Sequence, residues 1–201
     1  MKKHILTLAL LLPCFLSATP APEGGALVIA ANAIGTMREV SESKYGSLKR
    51  VKAEGQPFAE ALRCEIVARP AHTWDIQFQF RTTRRIEKGE VLWARFYART
   101  LAAKTESGEG RACAIFEKNS PPNDKALSLD TDFGREWKEY FLPFKARETY
   151  ETGKATTGFH LGALEQTVEI ADFEVYAFGK GFDMNRLPRT RVAYAGQAPD
   201  A

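Results

Sequence analysis

Gln166–Gly179 reads QTVEIADFEVYAFG. It begins as an alternating strand, with Val168 and Ile170 apolar and Thr167 and Glu169 polar. The alternation then slips, and the next apolar pair is Phe173 and Val175. A slip of one residue sends later side chains to the opposite face of a sheet, unless a bulge or bend absorbs it. The folded part of this chain therefore ends on an irregular strand, and the segment LPRTRVAYAGQAPDA follows it.

Working outward, period-2 patterns recur and helical periodicity is nearly absent. GALVIAA opens the set, and EALRCEIVA places Leu62, Cys64 and Ile66 on one face. WDIQFQF sets Trp74, Ile76, Phe78 and Phe80 against Asp75, Gln77 and Gln79. EVLWARFYART alternates on both faces: Leu92, Ala94, Phe96 and Ala98 on one, Trp93, Arg95, Tyr97 and Arg99 on the other. RACAIFEK, WKEYFLPF and GFHLGA complete the series, with NSPPNDKA read as a loop. Turn-forming runs such as KAEGQPF, EKGE, ESGEG and ETGK separate them. Seven or eight short strands broken by turns predict an all-β sandwich or barrel. From Lys180 the alternation stops, so 180–201 reads as a C-terminal linker or tail.

With 201 residues, 44% of them hydrophobic and 26% charged, the chain has the composition of one globular domain plus ends. Its first 18 residues read as a secretory signal: Lys2 and Lys3, an apolar run from Ile5 to Leu16, then small residues. Cleavage after Ala18 is preferred, because cleavage after Ala21 would leave Pro22 at the first mature position. The run is too short to span a bilayer, and Pro13 argues against Cys14 as a lipid anchor. Removing Lys2 and Lys3 with no acid takes the net charge from +3 to +1. A near-neutral protein has no strong electrostatic reason to bind nucleic acid or an anionic membrane. Cys64 and Cys113 remain; spacing alone leaves both a disulfide and two free core thiols open.

Chemical motifs are sparse. His72 and His160 are isolated, with no metal-ligand spacing around them. There is no phosphate loop, dinucleotide fingerprint or nucleophile elbow, and no acid pair stands out. What remains is the outward face of two strands. Trp93 and Tyr97 offer aromatic planes for the C–H faces of a sugar ring. Gln77, Gln79, Arg95 and Arg99 offer hydrogen bonds to its hydroxyls, and the arginines can clamp uronic carboxylates. The alternative is that this sheet buries both faces against a loop or the signal-proximal segment, with Trp93 and Tyr97 in the core and the arginines snorkelling. Trp74 shares parity with Ile76 and Phe78 and is expected in the core, as is Trp137. His160, between Phe159 and Leu161, faces away from the core. Gln166 is either a ligand contact or a buried amide that satisfies loop backbone.

GQPFAEALR, WDIQFQF, IEKGEVLWARFYART, EWKEYFLPF and FHLGALEQTVEIADFEVYAFG occur in the order seen in carbohydrate-binding modules of families 4, 9 and 22. The chain resembles those modules over Glu23 to Gly179. The resemblance implies a galactose-binding-like jelly-roll β-sandwich over 23–179. There the last strand runs beside the first, and a bulge at Ala171–Asp172 lets Val168, Ile170, Phe173 and Val175 all reach the core. It also implies carbohydrate contacts at Gln77, Gln79, Trp93, Arg95, Tyr97, Arg99, His160 and Gln166. LPRTRVAYAGQAPDA resembles the linker of bacterial family 10 xylanases, whose catalytic barrel has no counterpart here. The expectation is a secreted or periplasmic bacterial module, monomeric and non-catalytic, holding xylan or another β-glycan. Two alternatives stand beside it: a small glycan lyase or hydrolase on this scaffold, and an envelope structural or protein-binding domain. No cofactor is expected. Relatives often hold a structural calcium through loop oxygens; without a concentrated acidic loop here, the metal is left open.

Overall fold

A computed structural model describes residues 19–31, 33, 38–41 and 44–192, with backbone alone at 38–41. The expected signal segment Met1–Ala18 and the residues after Val192 lie outside the described residues. The irregular stretch is the longest lever on the fold. It forms strand β11, Gln166–Ala177, in the middle of one sheet. Its pairing with β6 (Val91–Ala103) shifts register between Ala171 and Glu174. Asp172 sits at this shift with φ 50°, a left-handed backbone that Asp tolerates better than most residues. The extra residue resets the alternation, so Val168, Ile170, Phe173 and Val175 all enter the core.

The remaining strands are β1 (Ala26–Leu27), β2 (Arg38–Ser41), β3 (Gly46–Lys52), β4 (Glu60–Ile66) and β5 (Ile76–Arg81). After β6 come β7 (Gly110–Lys118), β8 (Lys125–Phe133), β9 (Lys138–Lys145) and β10 (Ala155–His160). One sheet runs β3-β4-β11-β6-β9, with β1 also paired to β11; the other runs β2-β5-β10-β7-β8. All pairings are antiparallel. This is the jelly-roll β-sandwich, and β11 does run beside β1, with Ala26 opposite Ala177. Three strands go beyond the sequence expectation. β8 starts inside the segment read as a loop, and β2 and β3 lie in polar or basic stretches. No helix among the described residues is long and apolar enough to cross a membrane.

The two sheets meet over aromatic rings. Phe173 of the bulged strand stacks on Phe80 of the facing sheet with centroids 5.5 Å apart, and meets Phe159 edge-on at 5.2 Å. Phe96 meets Phe159 at 4.8 Å and Tyr140 at 5.2 Å. Each such ring contributes roughly 1.5–3 kcal/mol by leaving water, with a further increment from the ring geometry. Cys64 belongs to this core and Cys113 is half-buried on β7; no disulfide joins them, so that alternative is not taken.

β6 is buried on both faces, the second of the two readings its alternation allowed. Trp93 is fully buried: its indole stacks on Phe141 at 5.4 Å, and Nε1–H donates to Pro188 O at 2.9 Å. That acceptor comes from Lys180–Val192, the segment expected to be a linker. Leu187 packs against Trp93, and Thr190 exchanges two 2.9 Å hydrogen bonds with Phe141 along the free edge of β9. Over its described part this segment is a cover, not a free tail. Trp93→Ala is therefore expected to cost about 3–5 kcal/mol of stability in urea unfolding, as truncation of a buried aromatic does. A variant within about 1 kcal/mol of the parent would contradict this burial.

Candidate functional site

The opposite sheet leaves its outer face open. Alternation sends Ile76, Phe78 and Phe80 of β5 inward, so Gln77, Gln79 and Arg81 point outward. Cross-strand register then brings chemistry together. Arg81 stands opposite Thr156, Thr156 opposite Glu117, and Glu117 opposite Lys125, one row across four strands. Two rungs along, Gln77 stands opposite His160. Between these rows lies Gly158, with φ 151°; a Cβ there would fall 2.1 Å from Phe78 O. Only glycine keeps the sheet paired at that point, and it leaves the floor low.

These side chains line an open cleft of about 520 Å³, within the range of ligand-binding clefts. Asn119, Pro122 and Asn123 border it on one side and Trp74 on another. The floor is wired together. Gln77 Nε2 donates to Trp74 O at 2.8 Å, and Gln79 Nε2 donates to Gln77 Oε1 at 2.7 Å and to Glu117 Oε1 at 3.4 Å. Lys125 Nζ lies 2.7 Å from Glu117 Oε2. Such a row holds its amides in place before any ligand arrives.

Trp74 corrects an expectation. It is 49% exposed, not in the core. The parity argument failed because Thr73–Asp75 is a 3₁₀ turn, whose period is three and not two. His72 N donates to Asp75 Oδ2 at 3.0 Å, and Gly162 N to Thr73 O at 2.9 Å, fixing the turn. His72 stacks on Trp74 at 4.6 Å with planes 6° apart, and His160 meets Trp74 edge-on with ring centroids 6.2 Å apart. Trp137 is not in the core between the sheets either: it is half-buried and packs edge-on to Phe58 at 4.9 Å, in the small cluster with Tyr97.

Of the eight residues expected at a site, Gln77, Gln79 and His160 meet in this cleft. The other five do not. Trp93 lies under the C-terminal cover. Arg95 is 5% exposed and faces three carboxylates: Asp172 at 2.9 Å, Glu174 at 2.5 Å and Glu139 at 3.6 Å. It also donates to Thr19 O, so the signal-proximal segment covers this face too. Tyr97 is buried against Phe58, and burial pushes its phenol up to about 12. Arg99 Nε bonds Glu169 at 2.7 Å and lies over the Trp137 ring at 4.8 Å. Gln166 takes the structural alternative: Oε1 accepts from Arg111 N and Nε2 donates to Arg111 O, each at 2.7 Å. All five point away from the five-stranded sheet's outer face because β6 and β11 belong to the other sheet.

The sequence reading missed Trp74, Arg81, Glu117 and Thr156 as cleft residues. Arg81 had a signal, since it continues the parity of Gln77 and Gln79. Glu117 and Thr156 had none, because strand pairing brings them in. A calcium site does not fit the convergence of Glu139, Asp172 and Glu174, since the Arg95 guanidinium already fills it. Among the described residues, no group of three or more His, Cys, Asp or Glu is disposed to hold a metal. Burial pushes the Cys113 thiol up to about 11, which leaves it un-ionised and a poor nucleophile near neutrality.

Burial, with repulsion from Lys125, pulls His160 down to about 4. The imidazole is thus neutral at pH 5–8 and adds no charge to the cleft. Its folded value lies below the unfolded 6.5, so its stabilising contribution is intact above pH 6.5 and is lost as pH falls towards 4. Between pH 7 and pH 4.5 this group should remove about 2–3 kcal/mol of stability. Urea unfolding at both pH values should show a smaller decline for His160→Gln than for the parent. Equal declines would contradict the burial of this ring.

No protein-family model matches the sequence, and no curated protein matches it. Solved structures do match in fold. The second N-terminal cellulose-binding domain of Cellulomonas fimi β-1,4-glucanase C aligns at 16% identity and TM-score 0.56, over 81% of this chain and 98% of that one. A CBM4 module aligns at 14% identity and TM-score 0.52, over 70% and 86%. The CBM22-1–GH10 portion of Clostridium thermocellum endo-1,4-β-D-xylanase 10B, complexed with xylohexaose, aligns at 10% and 0.54, over 79% of this chain and 29% of that longer one. At these identities the likeness establishes the fold: the chain adopts the β-sandwich of carbohydrate-binding modules.

Proposed function

We propose that this protein is a non-catalytic carbohydrate-binding module that holds a polysaccharide in the cleft of the five-stranded sheet. The observation that carries this reading is the pre-wired row Gln77–Gln79–Glu117 beside the half-exposed Trp74. The indole offers an apolar plane for a sugar face, and the amides and His160 offer donors and acceptors for its hydroxyls. Because the row is already ordered, binding costs little side-chain entropy. The fold's likeness to a cellulose-binding domain and to part of a CBM22-1–GH10 protein solved with xylohexaose favours a β-linked glycan, xylan among them. A secreted or periplasmic monomer fits the signal-like first 18 residues.

The enzyme alternative needs two carboxylates, or a Tyr–Arg–His cluster, in one cleft. The lining residues hold one acid, Glu117, which Lys125 neutralises, and no tyrosine. The protein-binding alternative needs an apolar face. Only Trp74 and Pro122 among the lining residues are apolar.

Retention of the protein on insoluble and soluble polysaccharides, paired with a reducing-sugar assay on the same samples, tests the proposal. Retention without sugar release is expected. Trp74→Ala should weaken retention about 10–100-fold and Gln77→Ala about 3–10-fold, with Tm unchanged in both. Undiminished affinity in both variants would remove the ligand from this cleft, and sugar release would remove the non-catalytic assignment.

A further inference from the structure

Arg81 differs from four of the other strand arginines. Arg63, Arg95, Arg99 and Arg111 each hold a carboxylate, at 2.7, 2.5, 2.7 and 2.6 Å. Arg81 has no such partner among the described residues, although it lines the cleft. The remaining charges there cancel, since Lys125 and Glu117 pair at 2.7 Å. Among the described lining residues this leaves one positive charge without a paired acid, at the Arg81 end. Beside Arg81 in register stands Thr156, 4% exposed, whose hydroxyl has no hydrogen-bond partner among the described residues. A buried hydroxyl without a partner is uncommon and costly in a native fold.

We infer that the polysaccharide held in this cleft carries carboxylates, and that Arg81 is the residue that selects them. This rests on the glycan-binding reading of the same cleft and narrows its ligand to a uronate-bearing chain. A guanidinium presents two parallel N–H donors that match a carboxylate's two oxygens, a geometry that neutral sugar hydroxyls do not supply. The carboxylate neutralises the charge for which no acid among the described residues is a partner. It also brings an acceptor to the end of the cleft where the Thr156 hydroxyl lacks one. Trp74 and the Gln77–Gln79 row, which are uncharged, would hold the sugar rings, while Arg81 reads the acid.

Affinity electrophoresis of the full chain separates these roles. Its probes are glucuronoxylan, polygalacturonate, the carboxyl-reduced form of each, and dextran sulfate. The parent should bind at least one uronate polymer about 10-fold or more tightly than its carboxyl-reduced form, and the gap should shrink as NaCl is raised. Arg81→Gln should bring the acidic and reduced forms within about 2-fold of each other, with Tm unchanged. Equal binding of acidic and reduced polymers by the parent overturns this inference and leaves glycan binding standing. A gap that persists in Arg81→Gln overturns the role of Arg81. Tighter binding to dextran sulfate than to either uronate overturns the carboxylate assignment. No binding to any polymer overturns the glycan reading, and this inference with it.

Discussion

One inserted residue, Asp172, governs how the two layers of this sandwich meet. β11 lies between β6 on one edge and β4 and β1 on the other, so its side chains reach the middle of the core. Without the register shift, Phe173 would turn outward. Its contacts with Phe80 and Phe159 would go, and those two rings underlie β5 and β10, the strands that floor the cleft. The same shift turns Asp172 towards Arg95, where burial raises its carboxyl above the usual range while the guanidinium opposes that rise. Removing either partner of such a cluster strands the other in a poor solvent, which makes the bulge hard to lose one residue at a time.

The two outer faces divide the work. The β3-β4-β11-β6-β9 sheet commits Trp93, Arg95, Tyr97 and Arg99 of its outer face to internal contacts. The cover over Trp93 and the ion pairs of Arg95 and Arg99 occupy those three side chains within the protein. The β2-β5-β10-β7-β8 sheet has no comparable cover among the described residues, and its polar row faces the open cleft. A pattern of Trp-x-Arg-x-Tyr-x-Arg on a strand has the same chemistry in either setting. Only the segments packed over it decide whether those side chains bind sugar or bind each other.

That division marks what the sequence could disclose. Parity identified the inward face of β6 and the core pairs of β11, because period-2 alternation is local to one strand. It also put Gln77, Gln79 and His160 on an outward face. It could not tell which outward face stays open, since Pro188 and Thr19 come from the two ends of the described chain. Trp74 was lost because a single 3₁₀ turn breaks the period just before β5. Thr156 and Glu117 joined the site through register between β5, β10 and β7, a relation that no single stretch contains.

The chain's three tryptophans report on three different places: Trp74 at the cleft, Trp93 under the C-terminal cover, and Trp137 over Phe58. Their indole N–H signals in a ¹H–¹⁵N spectrum, followed as glucuronoxylan oligosaccharide is added, test the central claim directly. If the cleft is the binding site, the Trp74 signal moves with the ligand while those of Trp93 and Trp137 stay in place. Movement of Trp93 or Trp137 with Trp74 unmoved would place the ligand on the other sheet and contradict the account.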